Sequence, residues 1–426
     1  MAFFVFLAAA AGTRIVSPDS HFPRVQYTRA AIQNPVLHGR TRTRGNSAGV
    51  TLYPVVLLSV LTSISQRGSK MTTSLFALEL GAGSLAVGLL AALFATFPLL
   101  LAVHAGRISD RIGVRIPMAA GGATMALALV LPVTFPGLPA LFACAALIGL
   151  GHIFFHVSVH NLIGALDVQE RTRNFATFSL GSSIAAFIGP SLAGFGIEYA
   201  GYRSALVLLA VCAALPAVMV LAYKLGPAPQ QAEERAKSAF DLLAIPQLRR
   251  TLIMSGVALT GIELFSFYLP IYGRSIGLTP ASIGMVLSCY AVAGFIVRTV
   301  MHRLARRYSE ISVLTASLFL AALAYALLPA LHEAVLLGLA AFTLGLALGS
   351  AQPLTIILTY NHAPQGRSGE ALGMRIMANK VTQIGVPLMF GGLGAAMGAA
   401  PVFLATGAFL FVAGLLALKS ADGRMK

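Results

Sequence analysis

Residues 83–135 read GSLAVGLLAALFATFPLLLAVHAGRISDRIGVRIPMAAGGATMALALVLPVTF, two long apolar runs separated by a short charged segment. A helix rises about 1.5 Å per residue, so roughly 20 apolar residues are needed to cross about 30 Å of hydrocarbon. Each run reaches that length, and the segment between them is only long enough for a loop. This stretch therefore predicts two membrane-spanning helices joined by a tight, charged connection.

The same pattern continues on both sides of this stretch. Twelve apolar stretches can be marked, near 51–78, 83–104, 116–135, 138–163, 173–198, 202–223, 250–273, 280–301, 311–330, 334–358, 369–393 and 399–419. These runs are too long for the strands of a membrane barrel and lack their alternation of polar and apolar residues. The sequence predicts an all-α membrane protein with twelve transmembrane helices.

The composition agrees with a membrane protein. Of the 426 residues, 57% are hydrophobic and 10% are charged, whereas about 25% of the residues of a soluble domain are charged. A soluble enzyme is therefore excluded. The net charge of +16 is not gathered on a soluble module, so we expect no nucleic-acid partner. The three cysteines lie within apolar runs without metal-ligand spacing, and no metal or cofactor is expected.

The positions of the basic residues predict how the chain is oriented. If both termini are cytoplasmic, most of the 30 Lys and Arg residues fall on the cytoplasmic side, and the outward loops contain only Arg203 and Arg274. This asymmetry is the positive-inside rule. We expect a multi-pass, monomeric protein of the cell inner (plasma) membrane with cytoplasmic termini. The bacterial-type membrane is inferred from the compact chain and the absence of organelle signals.

The chain divides into four regions. Residues 1–48 are basic, and their one apolar run is too short to span a bilayer, so we expect a disordered tail or a start site assigned too early. Residues 50–223 form a first six-helix bundle. Residues 224–249 are polar and form a cytoplasmic linker, and residues 250–420 form a second six-helix bundle.

The two predicted bundles are related by an internal repeat. Gly81 aligns with Gly277, Gly88 with Gly284, Gly149 with Gly345 and Gly189 with Gly385, a constant offset of 196 residues. Several matches at one offset indicate duplicated halves. Parallel repeats of this kind occur in transporters that bind the substrate near mid-membrane, between the halves.

The loop between the second and third spans reads Gly106-Arg-Ile-Ser-Asp110-Arg111-Ile-Gly113-Val-Arg115. It resembles the signature of the major facilitator superfamily, Gly-x-x-x-Asp-Arg/Lys-x-Gly-x-Arg/Lys, in the same loop. The resemblance implies two pseudo-symmetric six-helix bundles that move a solute by alternating access. It also implies that Asp110 and Arg111 form a conformational latch, with Arg115 completing the motif and Gly106 and Gly113 allowing close backbone approach.

Two further features bear on this resemblance. The second-half copy of the loop departs from the motif, because it has Arg306 where the motif has Asp. Glu370, at the cytoplasmic mouth of span eleven, is expected to be a latch partner. The segment Gly189-Pro190-x-x-Ala193-Gly194 resembles the antiporter motif of the family but lacks the glycines expected before it.

The family's central cavity is lined by spans one, four, seven and ten, which directs attention to Arg67 and Glu263. They occupy equivalent positions of the repeat, near the middle of spans one and seven. An ionisable group at this depth normally faces a cavity or a partner. Either Arg67 binds an anionic substrate group and Glu263 takes up a proton or cation, or the two form a structural salt bridge.

Lys70 follows Arg67 by three residues, so the two cations lie on neighbouring helix faces, with Gly68 between them allowing the backbone to flex. Together the cations favour an anion such as a carboxylate. Alternatively, Lys70 extends toward the outer interface.

Span four carries His152, His156 and His160 on one face. Three histidines on a straight helix cannot share one metal ion, although two can. We expect polar packing, or substrate or proton handling, rather than a metal site. His156 is the best candidate because its repeat partner is Gln352 in span ten, and histidine titrates near neutral pH.

Span eleven carries a polar stripe of Arg375, Asn379 and Gln383, together with Lys380. Arg375 either meets the substrate from the inside or pairs with another helix. Asn379 is placed with the substrate-binding residues.

These residues predict a secondary active transporter of a small organic solute. The intramembrane cations favour an anionic or carboxylate-bearing solute, with protons coupled through Glu263 or His156. The alternative within the same fold is a proton-driven drug or sugar exporter. Alternatives from other classes are a non-transporting membrane sensor and a membrane-embedded enzyme. We expect no enzyme, because spans two to six contain no mid-membrane acid.

Overall fold

The structure is a computed structural model that describes residues 52–165, 171–222, 239–364 and 368–422. The long helices are α1 (Leu52–Glu79), α2 (Ser84–Ile112), α3 (Arg115–Thr134), α4 (Leu138–Ala165), α5 and α6 (together Arg171–Ala222), α7 (Pro246–Ser275), α8 (Pro280–Arg307), α9 (Glu310–Leu327), α10 (Ala334–His362), α11 (Ser368–Met397) and α12 (Ala399–Asp422). The helical stretch of α5 and α6 is divided at Gly201, whose φ is 78°. The twelve-helix, all-α fold is thus confirmed.

Two of the long helices, α1 and α11, are less apolar than the others. Within the described residues, nine helical segments are long and apolar enough to cross a membrane, and one of these contains both α5 and α6. Neither α1 nor α11 is among them, because α1 contains Arg67 and Lys70 and α11 contains Arg375 and Lys380. Charged groups are costly in hydrocarbon, so the charged faces of these two helices are turned to the interior of the bundle.

Several helices extend beyond the apolar runs from which they were predicted. α7 begins at Pro246, within the predicted linker, because proline is favoured in the first turn of a helix. α8 continues to Arg307 and α10 to His362, since charged residues reduce hydropathy without breaking a helix. The tail at 1–48 and residues 223–238 of the linker region lie outside the described residues.

The turns of the two halves repeat each other. Gly81 follows α1 with φ 81°, and Gly277 follows α7 with φ 80°, a conformation that glycine adopts most readily. Gly201 and Gly398 form the second such pair, with φ 78° and 80°. The first pair is 196 residues apart and the second is 197 apart, so the segment from Gly277 to Gly398 is one residue longer than the segment from Gly81 to Gly201.

This change of register corrects the pairing of Gly189 with Gly385. A Cβ at Gly189 would lie 3.0 Å from Arg67 Cβ, whereas a Cβ at Gly385 would have no neighbour within 4 Å. Pro190 instead corresponds to Pro387. The equivalence of the two prolines is visible at the contacts between the halves.

Two helix pairs, α2 with α11 and α5 with α8, join the first half (α1–α6) to the second half (α7–α12). A Cβ at Gly284 would lie 2.5 Å from the carbonyl oxygen of Pro190, and a Cβ at Gly88 would overlap that of Pro387. We call these two contacts the glycine seams. They lie toward the end of the bundle where α1 ends and α2 begins, which the positive-inside rule predicts to face outward and which we call the outer end.

The hydrophobic core is arranged differently at the two ends of the bundle. Toward the outer end, one cluster includes side chains of both halves, such as Leu75 and Phe265. Toward the opposite, inner end, the first half has a cluster of its own that includes Phe155. The second half has another that includes Leu354. The described residues of the two halves therefore pack together at the outer end and have separate cores at the inner end.

Candidate functional site

A cavity of about 370 Å³ lies between the two halves, near the lower limit of the range for small-molecule sites. Its lining comes from α1, α2, α5, α7, α8, α10 and α11. Spans one, seven and ten therefore line the cavity as the family resemblance implies. No described residue of α4 is part of the lining.

Five residues expected at the site line this cavity: Arg67, Lys70, Glu263, Gln352 and Asn379. The Arg67 side chain is exposed to the cavity space. Among the described residues it has no hydrogen-bond acceptor and no acidic partner within ion-pair distance. Gly68 is closely packed, because a Cβ there would lie 2.6 Å from Leu209 Cδ2 and 3.0 Å from Gly189 O. Its missing side chain lets α1 pack closely against α5 and α6.

Glu263 pairs with Lys70 rather than with Arg67. The Lys70 Nζ lies 3.8 Å from Glu263 Oε2, and 5.9 Å from the centre of the Phe94 ring. Lys70 therefore points into the cavity rather than toward the outer interface. The ion pair also connects the first half to the second half, since Lys70 lies on α1 and Glu263 on α7.

The second oxygen of Glu263 is held by a short chain of polar groups on α11. Gln383 Nε2 donates to Glu263 Oε1 at 3.1 Å, and Lys380 Nζ donates to Gln383 Oε1 at 3.0 Å. A lysine only donates and a carboxylate only accepts, so the orientation of the Gln383 amide is fixed at both ends. Glu263 thus receives one contact from each half of the protein.

Arg375 contacts α10 instead of the cavity. It is 4% exposed and is not part of the lining. Its guanidinium donates to Gln352 O at 3.1 Å, to Gln352 Oε1 at 2.6 Å and to Thr355 Oγ1 at 2.9 Å. Of the two roles predicted for Arg375, the structure shows pairing with another helix and no cavity contact.

The histidines of α4 form a column outside the cavity. The ring centroids of His152 and His156 are 5.0 Å apart, and those of His156 and His160 are 4.2 Å apart. Phe178 lies against His156 and His160, at 5.8 and 4.8 Å. His156 therefore packs against neighbouring rings. It does not line the cavity, although its repeat partner Gln352 does. This position differs from the predicted contact between His156 and the substrate.

Arg298 lines the cavity and is not among the site residues predicted from the sequence. Its Nε donates to Gly349 O at 3.3 Å, and its Nη1 donates to Ser183 Oγ at 3.4 Å. The residue was counted with the cytoplasmic charges because it lies close to the end of the predicted span 280–301. Since α8 continues to Arg307, Arg298 lies inside the helix, and its position within the marked span was the available signal.

The signature loop has a different geometry from the one expected. A Cβ at Gly106 would lie 3.9 Å from Val157 Cγ1, and a Cβ at Gly113 would meet nothing within 4 Å. Neither glycine therefore allows a close approach here. Gly113 instead follows the end of α2 with φ 82°, a backbone conformation that is unfavourable for residues other than glycine.

The latch residues themselves are only partly visible. Arg115 donates to Val220 O at 3.3 Å and to Leu221 O, carbonyls at the end of α6 where a cation is favourable. Arg111 is exposed. The side chains of Asp110 and Glu370 lie outside the described part of the structure, so their latch role stays a prediction.

Two acidic residues join the halves at the outer end. Glu79 of α1 pairs with Arg274 of α7, and Glu198 of α5 accepts a hydrogen bond of 2.9 Å from the backbone N–H of Ala281 in the first turn of α8. Together with the glycine seams, these contacts close the outer end above the cavity.

Comparisons with known proteins agree with this architecture. Among solved structures, the chain is similar to a peptide transporter POT mutant in complex with sulfate (TM-score 0.73, 17% identity, covering 87% of this chain and 94% of that chain). It is also similar to a mutant of the nucleoside transporter NupG (TM-score 0.73, 15% identity, covering 86% and 99%). A bacterial homologue of the human lysosomal transporter Spinster, described as inward-facing and occupied, gives a TM-score of 0.73 at 13% identity, covering 87% and 96%.

At these identities the structures show the fold alone. None of the curated protein sequences matches the chain at a significant level. The family model of the Major Facilitator Superfamily matches residues 55–386 and 251–423, which include all twelve helices. The chain is therefore a multi-pass membrane protein that belongs to the major facilitator superfamily of transporters.

Proposed function

We propose that the protein is a secondary active transporter of a small organic anion, coupled to protons through Glu263. The observation that carries this proposal is the Arg67 guanidinium, which faces the central cavity and has no partner among the described residues. A cation held at mid-membrane without a counter-ion is costly. An anionic substrate group would offset that cost, and a guanidinium binds a carboxylate with two parallel hydrogen bonds.

The other charges of the cavity support the same substrate class. Arg67, Lys70 and Arg298 line the cavity, and Glu263 is the one acidic side chain of its described lining. Glu263 is already engaged by Lys70 and Gln383. A cationic substrate would therefore meet an excess of positive charge and an occupied carboxylate, whereas an anion would meet free donors.

Coupling follows from the position of Glu263 between the halves. Protonation of Glu263 would weaken its ion pair with Lys70 and free that ammonium for the substrate. It would also remove one contact between α1 and α7. Binding of a proton would then raise the affinity for the anion, and binding of the anion would raise the affinity for the proton. Symport requires this coupling. His156 is the other predicted proton carrier, but its place outside the cavity lining favours Glu263.

The conformation fits one step of alternating access. The outer end is closed by the glycine seams and by the Glu79–Arg274 pair, and the cores of the two halves are separate at the inner end. We assign this arrangement to the state that opens toward the cytoplasm. In the opposite state, the outer contacts would have to separate.

The test is uptake into proteoliposomes with an imposed pH gradient, using a panel of monocarboxylates, dicarboxylates, amino acids and cationic dyes. We expect one class of organic acids to be accumulated. Arg67→Gln is expected to lower the affinity for that acid, with Arg203→Gln as the matched control on the outer surface. Glu263→Gln is expected to abolish gradient-driven accumulation, with Glu333→Gln, an exposed position before α10, as its control.

Each arm has an outcome against the proposal. Unchanged affinity in Arg67→Gln would refute the anion site, and full gradient-driven uptake by Glu263→Gln would refute the proton carrier. A preference for cationic dyes over every acid would favour the drug-exporter alternative. Absence of flux for all compounds would favour a sensor.

A further inference from the structure

We propose that Arg375 is a positioning residue that turns the Gln352 amide so that only its N–H groups face the cavity. The substrate then needs a hydrogen-bond acceptor, such as a carbonyl oxygen, at the point where it meets Gln352. This inference deepens the proposed function and rests on it, because it concerns a second recognition point in the same cavity.

The orientation of the Gln352 amide follows from the chemistry of its partner. An arginine side chain carries N–H donors and no acceptor. The atom that lies 2.6 Å from the Arg375 guanidinium is therefore the oxygen of the amide, Oε1. Glutamine amides are often ambiguous because oxygen and nitrogen have the same shape. This amide is not ambiguous, since the reverse orientation would place two donors against each other.

The other end of the amide is free. Gln352 lines the cavity, and its Nε2 makes no hydrogen bond to any described residue. The same nitrogen is not among the buried polar atoms that lack a partner. It is therefore accessible from the cavity and can donate to a bound molecule.

Arg375 is held firmly enough to impose this orientation. The same Nη2 atom also lies within hydrogen-bond distance of the backbone oxygen of Gln352 and of Thr355 Oγ1, so its two N–H groups are shared among three acceptors on one turn of α10. No described acid lies within ion-pair distance of it, although the side chain is 4% exposed. Burying an arginine without a counter-ion has a high desolvation cost. This cost favours a role for Arg375 as a hydrogen-bond donor over simple packing.

A second amide of the cavity also has its oxygen next to a polar partner, here a hydroxyl, which can donate or accept and does not by itself fix the orientation of the amide. Ser255 Oγ donates to Asn379 Oδ1 at 3.1 Å, and Asn379 also lines the cavity. Its Nδ2 has no partner among the described residues and is not sealed from the cavity. In this arrangement Gln352 and Asn379 present N–H donors to the cavity beside the cations Arg67, Lys70 and Arg298.

The inference is tested with probes that differ by a single acceptor. Binding of hexanoate, and of oxohexanoates that carry one ketone at successive carbons, is measured by calorimetry on the full chain in nanodiscs. The carboxylate anchors each probe at Arg67, and the ketone reports on the second contact. We expect at least one oxohexanoate to bind the wild type about threefold to tenfold more tightly than hexanoate.

The variants separate recognition from stability. Gln352→Glu keeps the shape and gives Arg375 a counter-ion, so the melting temperature is expected to hold or rise while the ketone weakens binding instead of improving it. Arg375→Met is expected to reduce the gain in affinity that the ketone provides, although Gln352 is intact. Arg375→Lys is expected to restore part of that gain. Thr343→Val, nine residues before Gln352 on the same helix, removes a hydroxyl that bonds Leu339 O and is expected to leave the gain unchanged.

Three outcomes would overturn the inference. If no oxohexanoate binds better than hexanoate, or if the gain survives in Gln352→Glu, Gln352 is not a donor to the substrate and the anion site at Arg67 is unaffected. If the gain survives in folded Arg375→Met, the amide is not positioned by Arg375. If neither hexanoate nor any oxohexanoate binds, the anion site of the proposed function is refuted and this inference with it.

Discussion

Adding a single methyl group at a glycine seam is expected to open the outer end of the transporter. In Gly284→Ala the new Cβ would lie 2.5 Å from Pro190 O and 3.4 Å from Gly194 Cα. Both neighbours are backbone atoms, which cannot turn away as a side chain can. The helices α5 and α8 must therefore separate. Gly88→Ala is expected to act in the same way, because it meets Pro387 at the equivalent place.

The cost falls on one conformation only, because the clash exists only while the outer ends are packed. Overpacking of this kind costs about 1–3 kcal/mol, which corresponds to roughly a 5- to 150-fold change in the ratio of the two states. The helix-forming advantage of alanine over glycine stabilises both states alike and does not offset this change.

The assay is labelling of a cysteine that the closed outer end hides. Ser74 is 7% exposed and lines the cavity, so Ser74→Cys in a background without the three native cysteines reports access from the outside. A membrane-impermeant maleimide should label it faster in Gly284→Ala and in Gly88→Ala. The control is Gly392→Ala, since a Cβ there meets nothing within 4 Å. Labelling at the rate of this control would refute the reasoning.

Two further predictions concern stability and are read from the melting temperature of the purified protein. Gly201→Ala places a Cβ at a residue with φ 78° and ψ 170°, which costs about 1–3 kcal/mol, and should lower the melting temperature by a few degrees, whereas Gly392→Ala should hold or raise it. Arg115→Met removes two hydrogen bonds to the last carbonyls of α6 and should lower stability by about 1 kcal/mol, while Arg249→Met, at an exposed position, should not. An equal loss in test and control variants would contradict either prediction.

The number of helices was readable from the sequence because each span is a local property of hydropathy. The stretch 138–163 was predicted as a span, and the observed helix runs from Leu138 to Ala165. The two agree because the residues that make the stretch apolar are the same residues that form the helix. Helix ends were harder to predict, because a charged residue ends an apolar run but continues a helix. Arg298 was missed for a different reason, since it lies inside the predicted span 280–301 but close to the cytoplasmic charges that follow that span.

The contacts within the site could not be read in the same way. Arg67 and Lys70 are three residues apart, and which of them meets Glu263 depends on the rotation of α1. That rotation is set by packing at Gly68, against Leu209 and Gly189, residues far away in the chain. The repeat offset placed Arg67 opposite Glu263, but symmetry relates positions and does not select partners.

The charges that line the cavity have a consequence for the electrical behaviour of transport. With Glu263 ionised, the three basic side chains Arg67, Lys70 and Arg298 leave the empty cavity with two excess positive charges. Moving one charge through the whole membrane potential changes its energy by about 2.3 kcal/mol per 100 mV. A potential that is negative in the cytoplasm therefore retains the empty carrier in the state that opens to that side. A monoanion that binds together with a proton on Glu263 leaves this excess at two charges, so the voltage acts on the loaded carrier as it does on the empty one, whereas a dianion with one proton would halve the excess.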